Sequence, residues 1–195
     1  YVHEGSISLD DSILVKNEFK SIADGSSFSL SSFEDSDKKI YKEIGSFLSL
    51  RELVIDMITL SSNFATNLVI DYIGSENINS TMRGLGANKI NVLRGVEDIK
   101  AFNQGMNNTT TALDLLNIYE KLAEGNVINS LASEEMIEIL KNQKYDDIIP
   151  KYLPKSIEVA HKDGWIKGVR HDSGIVFLDD NKKYILVLLS KNLED

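Results

Sequence analysis

The chain contains no cysteine, only two prolines and a single tryptophan in 195 residues. Without cysteine it cannot form disulfide bonds, thiolate metal sites or a cysteine nucleophile. No apolar run approaches the roughly 18–20 residues that a helix needs to span a bilayer. The formal net charge of −9 argues against nucleic acid as a partner, because phosphate binding depends on clustered Lys and Arg.

What the chain does contain is an ordinary globular composition, with 42% apolar and 26% charged residues. Its length suffices for one well-buried domain with two lobes. The sequence opens on Tyr1 rather than Met and carries no signal peptide at its start, so we expect that an N-terminal segment was removed or left out.

A periodic pattern of apolar residues predicts a helix after Ser49. Ser49 and Glu52 have the spacing of a capping box, in which each side chain accepts a hydrogen bond from the other residue's backbone amide. The apolar residues that follow recur at i, i+3, i+4, i+7 and i+8 and form one stripe: Leu50, Leu53, Val54, Met57 and Ile58.

Four more helices are predicted in the middle of the chain, at Asn63 to Gly74, at Glu76 to Arg83, at Thr110 to Gly125, and from an N-cap at Ser133 through Leu140. The residues expected to face the core are Ala65, Leu68, Val69, Tyr72, Leu115, Leu116, Tyr119 and Leu122. Residues 88–108 lack this periodicity, and an irregular stretch of that length in a compact domain is usually functional.

Both ends of the chain have strand character. An exposed strand is predicted from Ser6 to Val15, and residues 21–37, rich in Ser, Asp and Gly, are expected to form a loop. Three further strands are predicted at Ile157 to His161, Gly168 to Leu178 and Tyr184 to Ser190. Residues 179–181 have the composition of a tight turn between the last two.

Helices in the middle and strands at both ends predict the α+β fold class. We expect a single domain over residues 1–195. Its helical lobe would cover about 38–143, and its sheet lobe about 1–20 together with 150–195.

Six stretches of the chain, taken together, point to a known family. They are 45–53, 61–67, 94–102, 107–112, 161–164 and 168–176. Their identity and order over about 145 residues resemble class A β-lactamases and the related β-lactamase-like serine hydrolases of the penicillin-recognising family. The resemblance implies a β-lactamase/transpeptidase-like fold, in which an all-helical lobe packs against an antiparallel sheet with flanking helices.

The family's nucleophile lies in a Ser-x-x-Lys signature at the start of a buried helix, and we expect this signature to lie a few residues before the segment Tyr1 to Asp10 and to be missing from this chain. The resemblance also implies a C-terminal helix, which we expect to follow Asp195. The resemblance therefore implies an incomplete domain whose nucleophilic serine lies outside this chain. We also expect such a fragment to expose an unpaired sheet edge and to self-associate.

Ser61-Ser62-Asn63 resembles the family's Ser-Asp-Asn motif at the head of a helix. The resemblance implies that Ser61 passes a proton to the β-lactam nitrogen and that Asn63 binds the substrate's amide side chain. Ser62 stands where the family usually has an aspartate. The alternative is that these three residues only cap the helix, which Ser and Asn do routinely.

Lys162-Asp163-Gly164 resembles the family's Lys-Thr-Gly on a strand edge. The resemblance implies that the Lys162 ammonium lowers the free energy of negative charge in the cleft and orients Ser61. Gly164 would let substrate lie along the strand, and the Trp165 amide would form half of an oxyanion hole. Asp163 departs from the family, because a carboxylate there would repel a substrate carboxylate and pair with Lys162 instead. The alternative is a turn-flanked edge strand with a solvated lysine.

Residues 88–108 correspond to the Ω-shaped loop of class A enzymes, in which the glutamate of Glu-x-x-Leu-Asn activates the deacylating water. The chain has no such pentapeptide, and Glu97 is the nearest carboxylate. Glu97 is therefore the candidate catalytic base. The alternative is that Glu97 or Asp98 pairs with Arg94 and stabilises the loop.

Arg170 and His171 are candidates to receive a substrate carboxylate, since arginine binds anions through two parallel hydrogen bonds. The alternative is a polar outer strand face. The three histidines are scattered at positions 3, 161 and 171 and do not form a metal set, and the resemblance implies no cofactor.

Two functions follow from the resemblance. The first is a serine hydrolase that hydrolyses β-lactams or is acylated by them. The second is a catalytically inactive β-lactamase-like binding protein, which Asp163, the absent pentapeptide and the absent nucleophile favour. The implied ligand is a β-lactam or a peptidoglycan-like peptide, and the implied location is the exterior of a bacterial cell or its envelope.

Overall fold

The computed structural model describes residues 1–178 and 182–194, so the predicted turn at 179–181 lies outside the described residues. The chain divides into two compact units, one of residues 1–81 with 90–109 and one of residues 82–89 with 110–195. The helices after residue 110 therefore belong to the same unit as the C-terminal sheet. The predicted helical lobe, in contrast, groups them with the helices that precede residue 110.

The first unit contains two small antiparallel sheets. Strand β1 (Ser12–Leu14) pairs with β4 (Phe47–Ser49), and β2 (Phe19–Lys20) pairs with β3 (Ser27–Phe28). The strand predicted from Ser6 to Val15 is therefore too long at its start, because residues 1–6 form a turn closed by hydrogen bonds from Gly5 and Ser6 to the first two residues. A 3-10 helix at Ile40–Glu43 precedes β4.

Helix α1 (Leu50–Thr59) begins at the predicted capping box, which is confirmed. The Ser49 hydroxyl accepts from the Glu52 amide at 3.2 Å, and a Glu52 carboxylate oxygen accepts from the Ser49 amide at 2.8 Å. Helix α2 (Asn63–Ile73) ends at Gly74, whose φ of 85° explains why a glycine stands there. Helix α3 spans Ser75–Gly84.

Phe64 on α2 is completely buried and stands at the centre of the first unit's core. Its ring meets the Phe19 ring edge-on and lies 5.0 Å from the Tyr41 ring, measured between centroids. Tyr72 was expected in this core, and that prediction was wrong. It is 39% exposed, because its hydroxyl turns outward and donates to Asp11 at 2.7 Å.

The stretch expected to be irregular contains one short helix, α4 (Ile99–Asn103). Asp98 caps it by accepting from the Ala101 amide at 3.1 Å. Five residues are too few to produce a helical period that a sequence window can detect.

The second unit contains helices α5 (Ala112–Ala123), capped by Thr111, and α6 (Ser130–Lys141). The N-cap predicted at Ser133 was wrong, because the helix begins one turn earlier and Asn129 accepts from the Ala132 amide. Ser133 lies buried inside the helix and exchanges hydrogen bonds with the Val127 backbone. Leu116, expected inside, is 39% exposed.

The three predicted C-terminal strands form one antiparallel sheet in the order β5-β6-β7, consisting of β5 (Glu158–Ile166), β6 (Val169–Phe177) and β7 (Lys183–Leu189). The predicted α+β class is confirmed. Strand β5 runs five residues beyond the predicted end at His161, and it forms one edge of this sheet among the described strands. Helix α6 packs on β5, and α5 packs on β6 and β7.

The register of β5 on β6 places His161 opposite Gly174. A Cβ atom at Gly174 would lie 2.4 Å from the Ala160 carbonyl oxygen and 2.7 Å from the His161 Cα. Both contacts are with backbone, which cannot move aside, so only glycine fits at this point of close approach. This pairing holds β5 tightly to β6 immediately before Lys162.

Candidate functional site

The head of α2 positions Ser61, Ser62 and Asn63. Ser62 is fully buried and its hydroxyl accepts from the Ala65 amide at 3.2 Å, so Ser62 supplies the helix cap. Ser61 lies just before the cap in the left-handed region, with φ of 53°, a conformation that is uncommon for a residue with a side chain. The capping alternative therefore applies to Ser62. The side chains of Ser61 and Asn63 do not form this cap.

The Asn63 side chain contacts Glu97. Asn63 Nδ2 donates to Glu97 Oε1 at 2.7 Å, and Glu97 itself has a left-handed backbone with φ of 64°. Burial raises the pKa of the Glu97 carboxyl, the Asn63 hydrogen bond lowers it, and the negative charges of Glu34 and Asp35 raise it further, with a net rise. Sequence reasoning predicted neither this contact nor its effect on the carboxyl.

The alternative partner for Glu97, Arg94, has other contacts. Its Nη1 donates to the Gly95 carbonyl at 2.9 Å, and its guanidinium lies 5.4 Å from the centre of the Phe102 ring. The nearby Asp98 carboxyl is buried and accepts from Ser21 Oγ at 2.7 Å as well as from the cap of α4. Burial alone would raise the pKa of Asp98, but these hydrogen bonds and the charge of Arg94 lower it.

Asp35 is a buried carboxylate at the head of α2 that sequence reasoning missed. Its oxygens accept from the backbone amides of Asn63 at 3.1 Å and Phe64 at 2.9 Å, and from the Tyr41 hydroxyl at 3.0 Å. A negative charge is favourable at a helix N-terminus, where backbone amides are unpaired. Asp35 lies 28 residues before Asn63 in a segment read as a loop, so no local pattern indicated it.

Asn67 holds the backbone of the loop next to Glu97. Its Oδ1 accepts from the Val96 amide at 2.6 Å, and its Nδ2 donates to the Val96 carbonyl at 2.9 Å. A Cβ atom at Gly95 would lie 2.9 Å from Asn67 Oδ1, which explains the glycine before Val96. One turn of α2 therefore carries Asn63, which binds the Glu97 side chain, and Asn67, which fixes the backbone beside it.

In the second unit, the predicted pairing of Asp163 with Lys162 is confirmed. Lys162 Nζ donates to Asp163 Oδ1 at 2.9 Å and to the Asp163 carbonyl at 2.8 Å. Ser61 belongs to the first unit and Lys162 to the second, and the orientation of Ser61 by Lys162 stays a prediction.

Gly164 and Trp165 follow on the same edge strand, opposite His171 and Arg170. A Cβ atom at Gly164 would come no nearer than 3.8 Å to the His171 Cβ, an ordinary van der Waals distance. Packing within the described chain therefore does not require glycine at 164. Trp165, the single tryptophan of the chain, is 71% exposed.

Arg170 and His171 follow Val169 at the start of β6. Arg170 Nη2 lies 4.0 Å from Asp147 Oδ2, and both side chains are largely exposed. His171 Nδ1 accepts from the Ser190 amide at 3.1 Å, so this ring nitrogen already has a backbone partner. The carboxylate-binding role predicted for the two residues stays a prediction.

His161 on β5 is buried. Its Nδ1 lies 2.9 Å from Asp172 Oδ1, and its Nε2 lies 3.4 Å from Asp146 Oδ1. Asp172, also fully buried, accepts from the Ile149 amide at 2.9 Å through its second oxygen. Burial alone would lower the pKa of His161, but the hydrogen bonds and charges of Asp172 and Asp146 outweigh it and raise the pKa.

Other features of the described residues do not add to this site. Ser36-Asp37-Lys38-Lys39 matches Ser-x-x-Lys in letters, but it lies in an irregular segment before a 3-10 helix, and Ser36 and Lys39 are exposed. No group of three or more His, Asp or Glu side chains in the described part of the chain is placed to hold a metal. No helix in 1–178 or 182–194 is both long and apolar enough to cross a membrane. A surface cavity of about 280 Å³ in the first unit is lined by other residues: Lys39, Ile40, Glu43, Leu48, Glu52, Ile55 and Asp56.

The sequence of this chain is similar to those of known β-lactamases. A family model described as the Beta-lactamase enzyme family matches residues 1–195. Beta-lactamase BRO-1 of Moraxella catarrhalis is 27% identical over 145 residues, which cover 72% of this chain and 46% of that protein. A beta-lactamase of Bacillus licheniformis is 28% identical over 153 residues, covering 76% of this chain and 50% of that protein. The chain thus spans about half the length of these curated relatives.

Comparison with solved structures gives the same fold. A beta-lactamase from Sphaerobacter thermophilus DSM 20745 superposes with a TM-score of 0.80 at 23% identity, over 100% of this chain and 69% of that one. The L158E mutant of PBP-A, solved as an acyl-enzyme complex with penicillin G, superposes with a TM-score of 0.78 at 23% identity, over 98% of this chain and 66% of that one. At this level of identity the likeness shows the fold.

Proposed function

Because the chain belongs to the beta-lactamase enzyme family, we propose that it forms part of a serine hydrolase that hydrolyses β-lactams or is acylated by them. The observation that carries the proposal is the match of the family model to residues 1–195. The position of Lys162 and Gly164 on edge strand β5 supports it, because an extended ligand can bind along a free strand edge through backbone hydrogen bonds. The nucleophilic serine is proposed to lie outside these 195 residues.

In the proposed reaction, the serine oxygen attacks the lactam carbonyl carbon while a general base outside these 195 residues takes the serine proton, and the carbon–nitrogen bond breaks as an acyl-enzyme forms. Ser61 donates its hydroxyl proton to the departing nitrogen and regains a proton from that base. The Lys162 ammonium stabilises the negative charge that develops, and the Trp165 amide donates to the carbonyl oxygen. Water then attacks the ester carbonyl, which releases the acyl group as an acid and restores the serine.

Substrate binding is proposed to involve Asn63 and Gly164. Asn63 Nδ2 has two hydrogens, so it can donate to Glu97 and also to the amide side chain of a substrate. Gly164 is proposed to leave the strand edge open, since packing against the described residues does not require glycine there.

Glu97 is the proposed base for the deacylating water. A carboxyl whose pKa is raised toward neutral is a better proton acceptor at physiological pH, provided that it remains largely ionised. We predict that Glu97→Gln slows release of the acyl group about 100-fold and leaves the rate of acylation within about twofold. The measurement is the decay of a fluorescent acyl-enzyme after removal of free penicillin.

The matched control for this prediction is Glu34→Gln, which removes a neighbouring negative charge but not the proposed base. Glu34 raises the pKa of Glu97, so its neutralisation should shift the pH dependence of release to lower pH without abolishing release. Unchanged release from Glu97→Gln would exclude Glu97 as the base and leave it as a partner of Asn63.

Fluorescent-penicillin labelling of the complete gene product tests the proposed function. We expect a covalent band on a denaturing gel, which excess unlabelled penicillin suppresses. A complete gene product that stays unlabelled under conditions that label a known penicillin-binding protein would contradict the proposal.

The alternative is a catalytically inactive binding protein of the same fold. The contact of Lys162 with Asp163 favours it, because the family's ammonium is here engaged by a carboxylate of the chain itself. It predicts reversible β-lactam binding without a covalent band.

We further propose a bacterial, extracytoplasmic location, a β-lactam or peptidoglycan-like peptide as ligand, and self-association of the isolated chain. Membership of the family supports the proposed location and the proposed ligand.

A further inference from the structure

Lys162 and Asp163 form an ion pair on β5, an edge strand of the described C-terminal sheet. Successive side chains of a strand point to opposite faces, yet the flexible lysine bends back so that its ammonium reaches both the Asp163 carboxylate and the Asp163 carbonyl. The Lys162 and Asp163 side chains are only 26% and 20% exposed. A pair shielded to this extent is weakened less by salt than a pair on an open surface.

Two other cationic side chains of the β5–β6 hairpin also have acidic neighbours. Arg170 Nη2 lies 4.0 Å from Asp147 Oδ2. His161 lies between Asp172 at 2.9 Å and Asp146 at 3.4 Å. These three cationic groups therefore face four carboxylates, so the contacts that they make carry no excess of positive charge even when His161 is protonated.

From this arrangement we infer that the β5 edge selects ligands that carry a neutral or cationic group beside Asp163 and disfavours ligands with a carboxylate there. The inference rests on the proposed function and assigns Asp163 as a specificity-determining residue.

A ligand carboxylate at this edge would have to displace the Asp163 carboxylate from Lys162. To bind Lys162 it must compete with Asp163 Oδ1, and the displaced carboxylate then remains within a few ångströms of a second anion. A neutral ester or amide meets no such repulsion, and a ligand ammonium would pair with Asp163 directly. The favoured acyl donors are therefore esterified, amidated or amine-bearing compounds.

The test compares benzylpenicillin with its methyl ester, which keeps the ring system and lacks the charge. Reversible binding to the chain is followed by the emission of Trp165, which lies two residues from Asp163 and is the single tryptophan. We expect the ester to bind about tenfold more tightly than the free acid. In Asp163→Asn and Asp163→Thr the free acid should gain about tenfold and the ester should change less than twofold.

A matched control is Glu120→Gln, which removes one negative charge from an exposed position of α5 and should leave the preference unchanged. Equal or tighter binding of the free acid by the unmodified chain would overturn the inference, and so would failure of the ester to bind. Covalent labelling of the complete gene product by both compounds is scored separately. If neither compound labels it while the ester still binds more tightly, the proposed hydrolase fails and the charge preference stands.

Discussion

Lys162→Ala is expected to slow covalent labelling of the complete gene product by penicillin about 1000-fold. Removing one charge-stabilising donor from an enzyme's active site typically slows the reaction by about 100- to 1000-fold. Lys162 is proposed to act both on the developing negative charge and on Ser61, so we place the effect at the upper end. Its removal also leaves the Asp163 carboxylate next to the reacting group without its cationic partner, which adds repulsion.

The measurement is the pseudo-first-order rate of band formation at several penicillin concentrations, so that binding and acylation separate. Lys167→Ala is the matched control, because Lys167 is an exposed lysine in the turn of the same hairpin. Lys162→Arg keeps the charge and should recover part of the rate. If Lys162→Ala is labelled at a rate within tenfold of that of the unmodified protein, Lys162 does not act in the proposed mechanism.

Asp172→Asn is expected to reduce the free energy of unfolding by about 3–5 kcal/mol. Asp172 is completely buried and uses its two oxygens to accept from His161 Nδ1 and from the Ile149 amide. Asparagine has a single carboxamide oxygen, so one of the two donors would face an NH₂ group instead of an acceptor. The remaining histidine would also lose its principal counter-charge inside the protein.

Urea unfolding monitored by circular dichroism measures this loss. Asp147→Asn is the matched control, because the Asp147 side chain is 72% exposed and its contact with Arg170 spans 4.0 Å, so the expected change is below about 1 kcal/mol. Similar losses of unfolding free energy in the two variants would show that the buried contact of Asp172 contributes no more to stability than the exposed contact of Asp147.

The buried contact between His161 and Asp172 also predicts how the free energy of unfolding depends on pH. The pKa of His161 is raised in the folded chain, so the folded state binds this proton more tightly than the unfolded state does. The stabilisation is fully present below the unfolded pKa of about 6.5 and is lost as the pH rises through the raised pKa. Asp172→Asn should flatten this dependence, while Asp147→Asn should preserve it.

The sequence predicted best where the signal is local and periodic. The capping box at Ser49, the start of α2 at Asn63 and its stop at Gly74 each depend on residues within one or two turns, and the structure confirms all three. The three C-terminal strands were predicted from their apolar runs, and the structure confirms them. The cap at Ser133 was misplaced because Asn129 offers an equally good capping side chain one turn earlier.

The contacts of the candidate site could not be predicted in the same way. Asp35 and Glu97 reach the head of α2 from 28 and 34 residues away, and no periodic pattern connects residues at such separations. The burial of His161 was not predicted, because its acidic partners lie on a neighbouring strand and in a preceding loop. The pairing of Lys162 with Asp163 was predictable because the two residues are adjacent.

The division of the chain into two compact units has a practical consequence for dissecting the protein. Each unit is assembled from two separate stretches, so neither can be excised as one continuous fragment. A fragment that starts at Thr110 would lack the Gly86 carbonyl, which accepts from Asn117, and the Lys89 amide, which donates to Asp114. Shortened versions for crystallisation or isotope labelling should therefore retain residues 82–109, or rejoin 82–89 to 110–195 through a designed linker.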